Sequence, residues 1–343
     1  MSCSGSTRRS AEDNPGTRRA CSSAARTLLV PLLSPLLALL PPAPGAHAAT
    51  LRPGDVVILA REQTSTPGVF VHLDVAAGTF DTITPQPVLG SPRDVVVRPD
   101  GTLLVADATL GLVGVSPGSG AATVLEGPAA FGGSGPTALA FAANGDLWLA
   151  GPTGVARLGA GQDTQAILSA AGQLVDPTGI LDDGAGGAWV TDDNNSLLGG
   201  GGIVHVDAGG GQALVNASCS EGYTFPVMPL QVRRGPDGFV YVVSGPYYGP
   251  TNYLNAGIFR MDPTTNVATR WRTTKFIRGF DFTPAGTAWV ASCQDIGHDC
   301  YEAILGGPAG TFYPPGLGPL ALVPEGTTLA RTRSWGSLKS LYR

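Results

Sequence analysis

Charge, aromatic rings and histidine are all scarce in this 343-residue chain: charged residues make up 14%, aromatics 7%, and there are four histidines. No serine nucleophile elbow, phosphate-binding glycine loop or HExxH helix occurs, so the sequence offers no ready catalytic motif. The longest apolar run, Leu28 to Leu40, is broken by Pro31 and Pro35 and is too short to span a bilayer. Disorder is not implied, because apolar residues reach 43% and fall in strand-length runs. What the chain has in quantity is glycine (49) and proline (29), the composition of many short strands joined by tight turns.

The first 48 residues read as an export signal. Arg8, Arg9, Arg18, Arg19 and Arg26 form a basic leader, the apolar run follows, and Ala46-His47-Ala48 supplies a small-x-small cleavage site. The expected mature protein starts at Ala49, in the periplasm or outside the cell. Its 16 basic and 24 acidic residues give a net charge of −8. Such a surface repels phosphate backbones and anionic lipid, so neither nucleic acid nor stable membrane insertion is expected. Three cysteines survive cleavage, Cys219, Cys293 and Cys300.

From residue 91 onward one motif recurs: SPRDVVVRPDGTLLVAD (91–107), GPTALAFAANGDLWLAG (135–151), DPTGILDDGAGGAWVTD (176–192), MPLQVRRGPDGFVYVVS (228–244) and FIRGFDFTPAGTAWVAS (276–292). Aligned on Gly101, Gly145, Gly186, Gly238 and Gly286, the segments stack Leu104, Trp148, Trp189, Tyr241 and Trp289 in one column. Short strands repeating every 40–50 residues are the pattern of a β-propeller, in which no blade buries its faces without neighbours. The aromatic column is then packing between blades. Gly54 opens an incomplete first repeat, and Leu320–Gly326 supplies its missing strand from the far end, removing two open sheet edges. The expected fold is all-β: a six-bladed propeller over 49–326, closed by that strand, with seven blades as the alternative. Residues 327–343 form an amphipathic tail that packs on the outer edge or serves as a docking tag.

Strand direction gathers the long loops on one face, where recognition groups concentrate on a rigid scaffold. Tyr247, Tyr248 and Tyr253 lie in a Pro/Gly-rich loop there, rings suited to stacking on sugars or peptides or to covering the loop's own base. Arg93 and Arg278 open two first strands; they are placed to capture an anion or to pair with Asp94 and Asp281. Asp107, Asp192, Asp193 and Asn195 are hard-oxygen groups for Ca²⁺ or another divalent cation, or caps for the turns they sit in. Cys293 and Cys300, seven apart, most simply form a loop disulfide; pairing with Cys219, or a metal site using His298, are the alternatives. His72 and His205 share a column with Arg157 and Arg260, which reads as a half-exposed structural position.

The pattern Pro-x-x-apolar-x-apolar-x-x-x-Gly-x-apolar-apolar-Val-x-Asp resembles NHL repeats and the wider SMP-30/gluconolactonase and streptogramin-lyase propellers, over residues 51–326. The resemblance implies the fold, and with it a metal-dependent lactonase or lyase as one function. In such lactonases an acidic or amide ligand commonly follows the proline that opens a blade. Here those positions hold Arg93, Thr137, Thr178 and Leu230, with Arg278 in the blade lacking the proline. The function expected from the residues is therefore recognition: an exported, monomeric scaffold binding a peptide, glycan or envelope protein, with the metal-dependent enzyme as the alternative.

Overall fold

The computed structural model describes residues 49–60, 68–159, 166–170, 172–193, 201–222, 225, 228–245, 256–273, 277–283, 285–293, 302–305 and 317–325. The expected leader and tail lie outside them. The described strands form six sheets. Sheet 1 is Leu317–Leu322, Val56–Ala60, Val69–Asp74 and Thr79–Ile83, from the inner strand outward. Sheet 2 is Pro92–Val97, Leu103–Asp107, Gly111–Val115 and Ala122–Glu126. Sheet 3 is Ala138–Phe141, Leu147–Gly151, Gly154–Leu158 and Ala166–Ala170. Sheet 4 is Pro177–Asp182, Ala188–Asp192, Gly202–Val206 and Gln212–Leu214. Sheet 5 is Pro229–Arg234, Val240–Ser244, Gly257–Met261 and Val267–Arg272, with Ser218–Cys219 added in parallel at its outer edge. Sheet 6 is Ile277–Phe282, Ala288–Cys293 and Glu302–Leu305.

The fold is an all-β propeller. The six inner strands meet in cyclic order, sheet 1 against sheet 2 and onward to sheet 6 against sheet 1. Where the repeat leads to six or seven full blades, five sheets have four or more strands and sheet 6 has three among the described residues. The far end of the chain supplies the inner strand of sheet 1, as the split first repeat requires: Val56 pairs with Leu322, Val57 with Ala321 and Ile58 with Leu320.

Both faces of the second strands are apolar because each sheet is covered on two sides. The buried side chains sort into six clusters, one per gap between neighbouring sheets. Leu104, Trp148, Trp189, Tyr241 and Trp289 are all buried in those gaps, so the aromatic column is core. Trp148 also donates its indole N–H to Asp182 on the next sheet, 3.1 Å away.

A second repeating device pins the ends of the third strands. Asp55 pairs with His72 (2.9 Å), Asp146 with Arg157 (3.7 Å), Asp183 with His205 (2.9 Å) and Asp237 with Arg260 (2.8 Å). The four members of the His/Arg column, in sheets 1, 3, 4 and 5, thus each have an aspartate partner. His72 differs from the half-exposed position expected for it: it is buried, because Asp55 beside it satisfies its Nε2. Burial works to raise the Asp183 carboxyl, but His205 and the N–H groups of Ala185 and Gly187 outweigh it and hold it below its ordinary value.

Polar side chains on or just before the inner strands tie sheets 2 to 6 each to the backbone of the next. Asp94 accepts from the Leu139 N–H (2.9 Å), Gln231 from Phe280 (2.8 Å) and Asp281 from Leu322 (3.2 Å). Thr137 and Thr178 donate to the carbonyls of Pro177 and Pro229, each at 2.5 Å. Gly279 leaves the room that the final link needs, since a Cβ there would stand 2.6 Å from the Leu320 nitrogen and 2.9 Å from the Gly318 carbonyl. Gly279→Ala is therefore expected to destabilise the ring by about 1–3 kcal/mol in urea unfolding. Gly118→Ala, whose added methyl would meet nothing within 4 Å, should stay within about 0.5 kcal/mol of wild type.

Candidate functional site

Each second strand runs out toward the face where the next inner strand begins, and the expected site residues lie along that rim. Asp107, the last residue of its strand, is completely buried. Its carboxylate accepts from the N–H groups of Ser91 (2.9 and 3.0 Å), Thr109 (2.8 Å) and Leu110 (2.9 Å). Asp192 occupies the same position in sheet 4, also fully buried, and accepts from Val175 (2.6 Å) and Asp176 (3.0 Å). In both sheets the carboxylate ties the loop before the inner strand to the end of the second strand. Of the two roles the sequence leaves open for these aspartates, turn capping is the one their geometry displays.

Asp193 is placed differently. It is half-buried, and its N–H donates to the Asp176 carbonyl at 3.0 Å. Its Oδ1 is buried without a hydrogen-bond partner. Burial, then the charges of Asp176 and Asp192, push its carboxyl above the ordinary range. Burial and Asp192 push Asp176 up in the same way, while Arg93 draws it back. Arg93 is exposed. Among the described residues no group of three or more His, Cys, Asp or Glu converges as a metal cage would.

Backbone strain gathers at the same rim. Met228, just before the inner strand of sheet 5, has φ 44°, a left-handed value that side-chain-bearing residues seldom adopt. Gly201 (φ 133°) packs beside it, where a Cβ would stand 2.5 Å from Pro229 Cδ. The Gly245 N–H closes onto the Met228 carbonyl at 3.0 Å.

Asn195, Tyr247, Tyr248, Tyr253 and Cys300 lie outside the described residues. Arg278 and Cys293 sit on described strands, Ile277–Phe282 and Ala288–Cys293, but their side chains lie outside the description, and with them the expected disulfide. Cys219 is a half-buried free thiol on the added strand of sheet 5.

The expected pairing of Arg93 with Asp94 gives way to another. Neighbours in a strand point to opposite faces, so Arg93 turns to solvent while Asp94 turns into the ring. There it faces Arg233 of sheet 5, with Nη2 4.0 Å from Asp94 Oδ1. Arg233 Nε lies 3.9 Å from Asp281 Oδ1 on sheet 6. Sequence reasoning passed over Arg233. The signal was present: charges at Arg233 and Asp281 stand in a column otherwise filled by Val96, Ala140 and Leu181.

Asp107→Ala is expected to cost about 1–3 kcal/mol in urea unfolding, because it removes the acceptor that three backbone N–H groups share. The cost should be the same in EDTA and in millimolar Ca²⁺, and a loss confined to the Ca²⁺ condition would mark the aspartate as a cation ligand.

No protein-family model matches the sequence, and no curated protein matches it. Solved structures do. A protein of unknown function from Bacteroides caccae superposes with TM-score 0.53 at 10% identity, covering 79% of this chain and 98% of its own. A gluconolactonase from Xanthomonas campestris gives TM-score 0.48 at 15% identity over 82% and 91% of the two chains. Virginiamycin B lyase from Staphylococcus aureus gives 0.41 at 16% identity over 66% and 70%. The likeness is one of fold alone, and that the chain is a β-propeller rests on its own closed cycle of sheets.

Proposed function

We propose that this chain is an exported six-bladed propeller that recognises a peptide, glycan or envelope protein at its loop-rich rim, with sheet 6 as the sixth blade. The observation that carries the reading is the state of the rim carboxylates. Asp107 and Asp192 are fully buried and engaged by backbone N–H groups, so they hold loops in place. The group with free surface beside them is the Arg93 guanidinium, which suits a carboxylate or other anionic group on a ligand. In this reading Tyr247, Tyr248 and Tyr253, which follow the strand Val240–Ser244 in sequence, and Arg278 would extend the contact surface.

A second reading, a cation-dependent lactonase or lyase, is favoured by one observation: the buried, unpartnered Asp193 Oδ1 beside Asp176 and Asp192. Asn195 would be the neighbouring oxygen ligand for Ca²⁺ or another divalent ion. The cation would act there by polarising a substrate oxygen.

Binding of the purified protein to peptide and glycan panels, with Arg93→Glu alongside and thermal unfolding in EDTA or millimolar cations, separates the two. Recognition predicts saturable binding that Arg93→Glu weakens tenfold or more, with an unfolding midpoint unmoved by cations. A rise of several degrees with one cation, lost in Asp193→Asn, would replace recognition by the metal-dependent reading.

A further inference from the structure

The charged cluster inside the ring has no part in ligand recognition at the rim. Asp94 stands on sheet 2 and Arg233 on sheet 5, three places apart in a cycle of six and hence on opposite walls. Asp281 is on sheet 6, next to Arg233. All three are largely shielded, their side chains 4% (Asp94), 11% (Arg233) and 27% (Asp281) exposed. The two carboxylates are fixed: Asp94 by the N–H groups of Val95 and Leu139, Asp281 by those of Phe282 and Leu322. The guanidinium is not. It donates through Nη1 to the Val232 carbonyl, and its two ion-pair contacts, at 3.9 and 4.0 Å, exceed hydrogen-bond length. Arg233 is thus held between two walls by charge and is locked to neither.

We propose that Asp94, Arg233 and Asp281 form a proton-operated latch across the channel: protonation of Asp94 frees Arg233 to pair with Asp281 alone, and deprotonation draws it back toward sheet 2. The charge balance favours such a device, since two carboxylates share one guanidinium in a shielded space. Other charged groups on the packed strands whose side chains are described are engaged or face outward. The inner strands of sheets 1 and 3, Leu317–Leu322 and Ala138–Phe141, contain no titratable residue. Asp182 on sheet 4 accepts the Trp148 indole N–H, and Arg234 is exposed and donates to the Asp182 and Gly238 carbonyls. On sheet 2 Arg93 is exposed. Arg278 starts the inner strand of sheet 6, three residues before Asp281.

Burial raises the Asp94 carboxyl from 3.8 to about 6, against the pull of Arg233 and two backbone N–H groups. Burial raises Asp281 as well, opposed by Arg233 and by the N–H groups of Leu322 and Phe282. A carboxyl raised on folding contributes stability that is complete below its unfolded value and is lost as pH climbs through its folded value. For Asp94 that window runs from pH 3.8 to about 6.

The test follows the ¹⁵Nε resonance of Arg233 from pH 4.5 to 7.5 in the full chain and in Asp94→Asn, with thermal unfolding at both ends. In the wild type the resonance should move with a midpoint near pH 6. In Asp94→Asn it should stay at its acid-side position throughout. The variant's unfolding midpoint should gain several degrees on the wild type between the two ends, since Asp281 is common to both chains and only the wild type also ionises Asp94. A wild-type Arg233 resonance that does not move overturns the latch, and so does a midpoint difference equal at both ends. If Asp94→Asn does not fold, the wild-type titration decides alone, and Asp281→Asn must displace the Arg233 resonance on the acid side for the latch to stand.

Discussion

The close approach of six inner strands governs the rest of this structure. Where strands crowd round an axis there is no room for large side chains, yet their polar groups must still be satisfied. The chain answers in two ways. Gly179 and Gly279 let the neighbouring backbone come within contact distance, while Asp94, Thr137, Thr178, Gln231 and Asp281 reach across to it. These links set the spacing of the sheets, and the apolar clusters between them then fill gaps of fixed width.

The functional rim inherits its order from this arrangement. Asp107 and Asp192 do for the loops what the inner-strand groups do for the sheets, holding backbone by its N–H groups. The oxygen of Asp193 without a partner and the solvent-facing Arg93 stand out because their neighbours are so fully engaged.

Much of this was legible in the chain. The repeat disclosed the hairpins, the buried aromatic column and the strand borrowed from the far end, because glycine turns and strand-length apolar runs are local signals. Asp107 was legible as a turn cap for the same reason. The pairing of Asp94 with Arg233 was not. The two residues are separated by 139 positions and meet only because the ring places sheet 2 opposite sheet 5, a relation no window of sequence contains. His72 was misjudged on similar grounds: its column looked half-exposed, and the burial comes from Asp55, 17 residues earlier on the paired strand. A blade count read from turn glycines also runs ahead of the number of complete sheets, since a glycine turn marks a hairpin and not its outer strands.

The strand borrowed by sheet 1 also fixes an order of events. Leu317–Leu322 completes a sheet whose other strands begin at Val56, so most of the chain must be made before that sheet has its inner wall. Until then Val56, Ile58 and Leu73 lack the Leu320 partner that helps bury them, and the backbone of Asp55 waits for Val323. Synthesis from the N-terminus therefore yields an open arc with two raw edges, and only its last section turns the arc into a circle. A chain that closes late stays pliable long enough to be handled unfolded, and once closed it has no free end from which to unravel.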